Sequence, residues 1–246
     1  MLLSIYTGRS GMVAQQEKMT TLSNNIANSN TNSYKKVDVS FSENLGQITN
    51  QRNGLPFTSE NPIFQGGGVR ASNIFRNFNE GPFIQTGIDT DISIAGEGYF
   101  KVINANGEEF YTRDGSFNID VNGNFVHSAS GMKLEVEGFK PQYVKQPVLI
   151  SKDGTISYEE NIIGKVNVYD FAYKNSMISK GDNVFTAGDR PIDTNGEVVQ
   201  GYIEGSNVNM VDELTNMITV QRSYEFNSRS IKSADEMWQL ANNLKK

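Results

Sequence analysis

The sequence has no cysteine, so disulfides, thiolate metal sites and cysteine nucleophiles are excluded. It has one histidine, His127, which excludes a metal site built from several histidines. No apolar run approaches the roughly 20 residues that cross a bilayer, so no membrane insertion is expected. No basic region followed by an apolar one opens the chain, and no cleaved secretory signal is expected. The basic doublets are Lys35-Lys36 and Lys245-Lys246, in a chain of net charge −6 and pI about 5.0. A phosphate backbone is therefore an unsuitable partner, and no nucleic acid is expected. Hydrophobic residues make up 37% and mean hydropathy is −0.46, which leaves a modest core. Against six prolines stand 23 glycines, the composition of many turns.

Neither proline nor glycine occurs after Gly205. Gly205-Ser206-Asn207-Val208-Asn209 is rich in capping residues, and Asp212 and Glu213 stand where a helix dipole favours negative charge. Apolar or small residues then recur at Met210, Leu214, Met217, Tyr224, Ser228, Ile231, Ala234, Trp238, Ala241 and Leu244. The steps are mostly three and four, a narrow seam near period 3.5. Such a helix runs roughly 50 Å. A small domain could not cover it, so it needs another helix.

A second seam lies at the other end. From Leu2 to about Asn28, the residues Ile5, Met12, Met19, Leu22 and Ile26 fall near one face. Gly8 and Gly11 should soften the first turns. The Asn-rich run Asn24 to Tyr34 reads as a structured stop. Gln16 and Gln221 interrupt the seams and neither helix can bury its seam alone, so both termini are expected to be largely disordered in the free monomer. Domain boundaries are placed at 1–36 (helix and stop), 37–80 (extended linker with a β excursion), 81–204 (β-rich domain) and 205–246 (C-terminal helix).

The middle of the chain has little helix signal. Val37 to Phe41 alternates like a short strand. Asn50 to Arg70 carries Pro56, Pro62 and Gly66-Gly67-Gly68, and its apolar Leu55, Phe57, Ile63 and Phe64 mark it as a contact surface for other subunits. From Gly81 to Gly201, short alternating segments are separated by turn residues, which argues for an antiparallel sandwich or open barrel. Asn122-Gly123 suits a type I′ hairpin turn, and Lys165 to Phe171 alternates as one strand. The fold class is α+β, with long terminal helices in a coiled-coil-like layer and a central all-β antiparallel domain.

Catalytic patterns fail on context. Gly66-Gly67-Gly68-Val69-Arg70-Ala71 matches a relaxed dinucleotide fingerprint, yet no strand signal precedes it and no helix signal comes after it. Ser33-Tyr34-Lys35-Lys36 matches Ser-x-x-Lys without its companion motifs. Asp120 to Asn124 lacks the spacing of a calcium loop. Asp89/Asp91 and Glu159/Glu160 read as solvated strand ends, His127 shows no relay spacing, and Arg113-Asp114 suggests a local ion pair. No catalytic residue, metal site or cofactor is expected.

Three separated runs resemble the bacterial flagellar rod and hook protein family. They are Leu22-Ser23-Asn24-Asn25-Ile26-Ala27-Asn28 with Thr31-Asn32-Ser33-Tyr34-Lys35; Asp91 to Phe100 followed by Tyr111-Thr112-Arg113-Asp114-Gly115-Ser116-Phe117; and Asn207-Val208-Asn209, Glu213-Leu214 and Gln221-Arg222-Ser223-Tyr224-Glu225. Chain length fits the two intermediate rod members. Asn227 to Ile231, Asp235-Glu236-Met237 and the excursion from Gln51 to Arg70 resemble the distal rod type. Ser33 departs from the glycine usual before the aromatic; a positive φ there would carry a small strain.

The resemblance implies a structural subunit of the basal body, outside the cytoplasmic membrane. It implies export through the flagellar type III apparatus and head-to-tail assembly with copies of itself into a tubular shaft transmitting torque to the hook. Implied neighbours are the proximal rod and hook proteins, with ring or bushing proteins around the rod. Interface candidates are Met12, Met19, Leu22, Ile26, Leu214, Met217, Tyr224, Ile231 and Trp238, together with Leu55, Phe57 and Phe64. Two alternatives stay open: a proximal rod protein of the same family, and a monomeric binding module using the β domain, for glycan or peptidoglycan.

Overall fold

The computed structural model describes residues 2–45, 47–49, 63–140, 147–158, 161–194 and 196–244. Leu55 and Phe57 lie outside the described residues. The chain divides into two compact units. One comprises Met1–Ala27, Val37–Asn77 and Asn209–Lys246; the other comprises Asn28–Lys36 and Phe78–Val208. Residues 37–77 thus group with the helices, and Asn28–Lys36 with the β strands.

The first unit contains helix α1 (Leu2–Ala27), strands β1 (Val37–Glu43), β2 (Gln47–Thr49), β3 (Ile63–Gln65) and β4 (Val69–Arg76), and helix α2 (Met210–Asn243). β1 pairs antiparallel with β4, from Val37 opposite Arg76 to Glu43 opposite Val69, and β2 with β3. The strand β3 does precede Gly66–Gly68, contrary to the sequence expectation, because the base of the excursion closes as a hairpin. After the glycines comes strand β4 and not a helix, so the fingerprint still lacks the helix N-terminus that would hold a pyrophosphate.

α2 starts as its capping residues dictate. Asn209 is extended, at φ −89°, and its side chain accepts from Val211 N at 3.1 Å. With no breaker after it, the helix runs 34 residues, about 51 Å. α1 runs 26 residues, through both glycines. Those glycines let the helices approach. A Cβ on Gly8 would lie 2.9 Å from Ile231 Cγ1, and one on Gly11 would lie 2.9 Å from Asn227 Nδ2. At the far end Asn25 Nδ2 donates to Glu213 Oε2 at 2.9 Å. As residue numbers rise on α1 they fall on α2, so the pair is antiparallel.

The second unit is antiparallel throughout its described strands. Its largest sheet has nine strands, and Tyr99–Ile103 is central, pairing with Glu109–Thr112 on one side and with Val168–Asp170 and Lys133–Leu134 on the other. Alternation along Tyr99–Ile103 divides the apolar residues between two faces. Phe100 and Val102 join Ile94, Phe110, Phe117, Phe125, Val184 and Val198 in the main core. Tyr99 joins Tyr111 and Phe171 in an aromatic cluster, with Tyr111 and Phe171 edge-to-face at 4.7 Å.

The expected hairpin of Phe117–Ile119 with Phe125–His127 forms, but its turn is not type I′. A type I′ turn needs positive φ at Asn122 as well as Gly123, and only the glycine has it, at 80°. Asp120 N donates to Asn124 O and Gly123 N to Asp120 O, a three-residue loop closed by a left-handed glycine. The same bonds recur around Gly107 and Gly154, at φ 82° and 81°. The expected strand Lys165 to Phe171 is two strands, Asn161–Lys165 and Val168–Asp170. The break falls at Val166, whose N–H turns to Gly154 O at 2.8 Å and whose side chain enters the main core.

Candidate assembly interface

The polar residues of the first unit fix where its elements begin and end. Asn25, fully buried, donates to Val37 O at 2.8 Å and accepts from Val37 N at 3.0 Å, so one side-chain amide takes both backbone groups at the start of β1. Its donation to Glu213 ties the same point to the first turn of α2. Glu213 is 0% exposed, whereas the dipole argument alone would leave it on the surface. Ser10 Oγ accepts from Val69 N at 3.2 Å and holds β4 against α1, and Lys18 pairs with Asp38 of β1.

The helical candidates divide by face. Leu22 is buried, and Met12, Met19 and Ile26 are half-buried or better on α1. On α2, Glu213, Val220 and Ala234 are buried, with Met217, Tyr224 and Ile231 half-buried beside them. Leu214 and Trp238 are 45% and 48% exposed. Leu214 belongs to a second stripe with Val211 and Ile218, and Met237, Leu240 and Leu244 form another near the C-terminal end, all exposed. The backbone of Phe64 lies in β3. Gln221 and Arg222 are exposed.

In the β unit the motif residues form a buried ionic node. Lys35, Arg113 and Glu204 are 1%, 4% and 0% exposed. Lys35 Nζ lies 2.5 Å from Glu204 Oε1 and donates to Asn79 O at 2.8 Å. Arg113 Nε pairs with the other Glu204 oxygen, and Arg113 Nη2 reaches Glu80 at 2.8 Å and Gly96 O at 2.6 Å. Gly81 N also donates to Glu204, at 2.7 Å. Burial pushes the Lys35 pKa below its ordinary value, against the opposing pull of Glu204. Asn207 closes the cluster: it accepts from Lys36 N at 2.7 Å and donates to Asn79 O at 3.0 Å.

Other motif residues act on the backbone around this node. Ser33 has φ +54°, the one of the two outcomes left open that carries a small strain, and its hydroxyl donates to Arg113 O at 2.9 Å. Thr31 N donates to Asn28 O at 3.1 Å and Tyr34 N to Thr31 O, which shapes the stop after Ala27. Thr112 Oγ1 donates to Asn183 O at 3.0 Å. Gly115 admits no side chain, since a Cβ there would lie 1.4 Å from Ile92 O. Phe117 packs edge-to-face on Phe100 at 5.7 Å. Val208, the residue before the helix cap in sequence, is half-buried.

The expected ion pair between Arg113 and Asp114 does not form. The two side chains diverge: Arg113 goes to Glu204 and Glu80, whereas Asp114 Oδ2 lies 3.3 Å from His127 Nε2. His127 Nδ1 is 2.7 Å from Ser130 Oγ, so folding assembles an Asp–His–Ser row that spacing did not reveal. Its hydrogen bonds are those of a closed turn, with Ser130 N donating to His127 Nδ1 at 3.3 Å and the imidazole fully buried.

Terminal helices, an antiparallel β domain between them in sequence, and polar groups spent on fixing backbone define a structural α+β protein. Comparisons with known proteins carry this to a family. Residues 5–35 match the model for flagella basal body rod protein, residues 93–158 that for the flagellar hook protein FlgE/F/G D1 domain, and residues 199–244 that for the flagellar basal body rod FlgEFG protein C-terminal region. The flagellar basal-body rod protein FlgG of Borreliella burgdorferi is 33% identical, with all of both chains covered. FlgG of Caulobacter vibrioides is 32% identical over 98% of this chain and 99% of its own. The rod protein FlgF of the same organism is 30% identical over 95% and 94%. The chain belongs to the flagellar basal-body rod protein family.

Proposed function

We propose that the chain is a structural subunit of the distal rod, which assembles head-to-tail with copies of itself into a tubular shaft between motor and hook. The observation that carries this reading is the second face of α2. Val211, Leu214 and Ile218, and further on Met237, Leu240 and Leu244, expose apolar surface on a helix whose other side already meets α1. Such surface is covered in the working state. A contact between unlike faces that does not close into a ring generates a helical filament. In that filament α1 and α2 form a coiled-coil-like layer.

Its neighbours are the proximal rod proteins on one side, the hook proteins on the other, and ring or bushing proteins around the shaft. The subunit reaches its place outside the cytoplasmic membrane through the flagellar type III export apparatus. Full-length similarity to rod proteins named FlgG supports the distal position. A match to FlgF at 30%, against 32% for FlgG from the same organism, is what keeps a proximal position as the second reading. Electron microscopy of the purified protein tests the assembly claim. Tubes of uniform diameter are expected; a monomer at every concentration would overturn it.

A further inference from the structure

A groove of about 300 Å³ runs along the outer side of α1, between Tyr6 and Glu17, and is closed by Asn44 and by β4 at Val69–Ala71. Its apolar lining comes from Tyr6, Val13, Ala14, Val69 and Ala71. Tyr6 and Val13 are 67% and 49% exposed, so nothing else among the described residues covers them fully. Its charged lining is Arg9 and Glu17, eight positions apart on α1, and Arg70 on the β4 wall, whose Nε donates to Ser42 Oγ at 3.3 Å.

We infer that this groove receives the C-terminal end of α2 from a second copy of the chain. The inference rests on the assembly proposed above and specifies which surfaces meet. Met237, Leu240 and Leu244 recur at helical spacing on one stripe and are 53%, 65% and 88% exposed. Glu236 lies beside that stripe, one turn before Leu240. Arg9 and Glu17, like Glu236 and Leu244, are eight helical steps apart, about 12 Å. With the two segments parallel, Glu236 meets Arg9, Leu240 meets Val13, and Leu244 reaches the groove's far end. In that direction Glu236 faces the Arg9 cation, whereas the reverse direction would set it beside the Glu17 carboxylate.

The occupant cannot be the chain's own α2. Gly8 opposite Ile231 and Gly11 opposite Asn227 set the intrachain register. In that register Val13 stands level with residues 225 and 226, about 21 Å along the axis from Leu240. The end of α2 therefore passes beyond the groove of its own chain.

The absence of cysteine makes the test direct. Two single variants, Val13→Cys and Leu240→Cys, are mixed, allowed to polymerise and oxidised. A disulfide needs Cα atoms within about 7 Å, so only contact between copies can link the two variants. The expected result is a covalent dimer of unlike variants, well above a Val13→Cys and Ile218→Cys control. A charge exchange supplies the second arm. Arg9→Glu and Glu236→Arg, each alone, should raise the critical concentration for polymerisation about two- to fivefold, the range of an exposed ion pair. Mixing the two variants should restore it. Filaments that form without the specific crosslink overturn the groove assignment and leave the assembly claim standing. Failure of the unsubstituted protein to polymerise overturns both.

Discussion

Glu204→Ala perturbs the β unit at the point where its charges are most concentrated. The carboxylate lies between Lys35 Nζ at 2.5 Å and Arg113 Nε, and it accepts from Gly81 N at 2.7 Å. Truncation leaves two cations buried without their shared anion, at 1% and 5% side-chain exposure. Breaking a buried pair by removing one partner costs about 3–5 kcal/mol. For a domain of this size that lowers the melting temperature by roughly 10 °C or more. The control is Lys152→Ala. Lys152 meets Glu197 at 3.3 Å, but the side chains are 79% and 59% exposed, and the change should stay within about 1 kcal/mol. Calorimetry of both variants reads the contrast.

The pH dependence supplies a second reading. Lys35 already has its pKa lowered by burial, and Glu204 is the main group pulling it back up. Without Glu204 the folded state binds the Lys35 proton still less well than the unfolded state does. Where the unfolded state binds more protons, stability rises with pH. The deficit of the variant should therefore shrink as pH rises toward the ordinary lysine value. A Glu204→Ala transition within about 1 kcal/mol of the unsubstituted protein, or a deficit that widens with pH, would refute the reasoning.

Gly115→Ala places a Cβ 1.4 Å from Ile92 O, which no side-chain movement relieves, and should abolish the cooperative unfolding transition of the β unit. Asn209→Ala removes the cap on α2 and should cost its helix about 1 kcal/mol, read by circular dichroism during thermal unfolding. Leu214→Asp, at a 45% exposed position, should leave monomer melting nearly unchanged and abolish filaments in a sedimentation assay. Ile231→Asp should weaken the monomer as well, because Ile231 packs where Gly8 admits it. Lys232→Asp, on the exposed side, should do much less than either.

How far the sequence reveals this structure varies with the physics of each part. The long helices are legible because capping residues, absent breakers and spacing agree over many turns. The role of Gly8 and Gly11 is not, since glycine signals a weak helix locally and a close approach only once the partner helix is known. The β strands are legible by alternation. The turn around Asn122 is not, because Asn-Gly suits two loop geometries, and the choice depends on the loop length between paired strands. The charged node is invisible because Lys35, Arg113 and Glu204 are far apart in sequence and only the fold brings them together; Asp114, His127 and Ser130 lie closer, but their spacing matches no relay and only the paired strands align them. Ser33, at φ +54°, is legible only through the resemblance, which sets a glycine at its place; no rule local to the serine asks for a left-handed backbone.

The central claim is that this chain builds the shaft between motor and hook. Immunogold electron microscopy of isolated basal bodies, with a tag carried on the exposed turn at Val121, tests it most directly. Gold along the distal rod, ending where the hook begins, is the predicted result. Gold confined to the hook or filament, or basal bodies without label, would contradict the account.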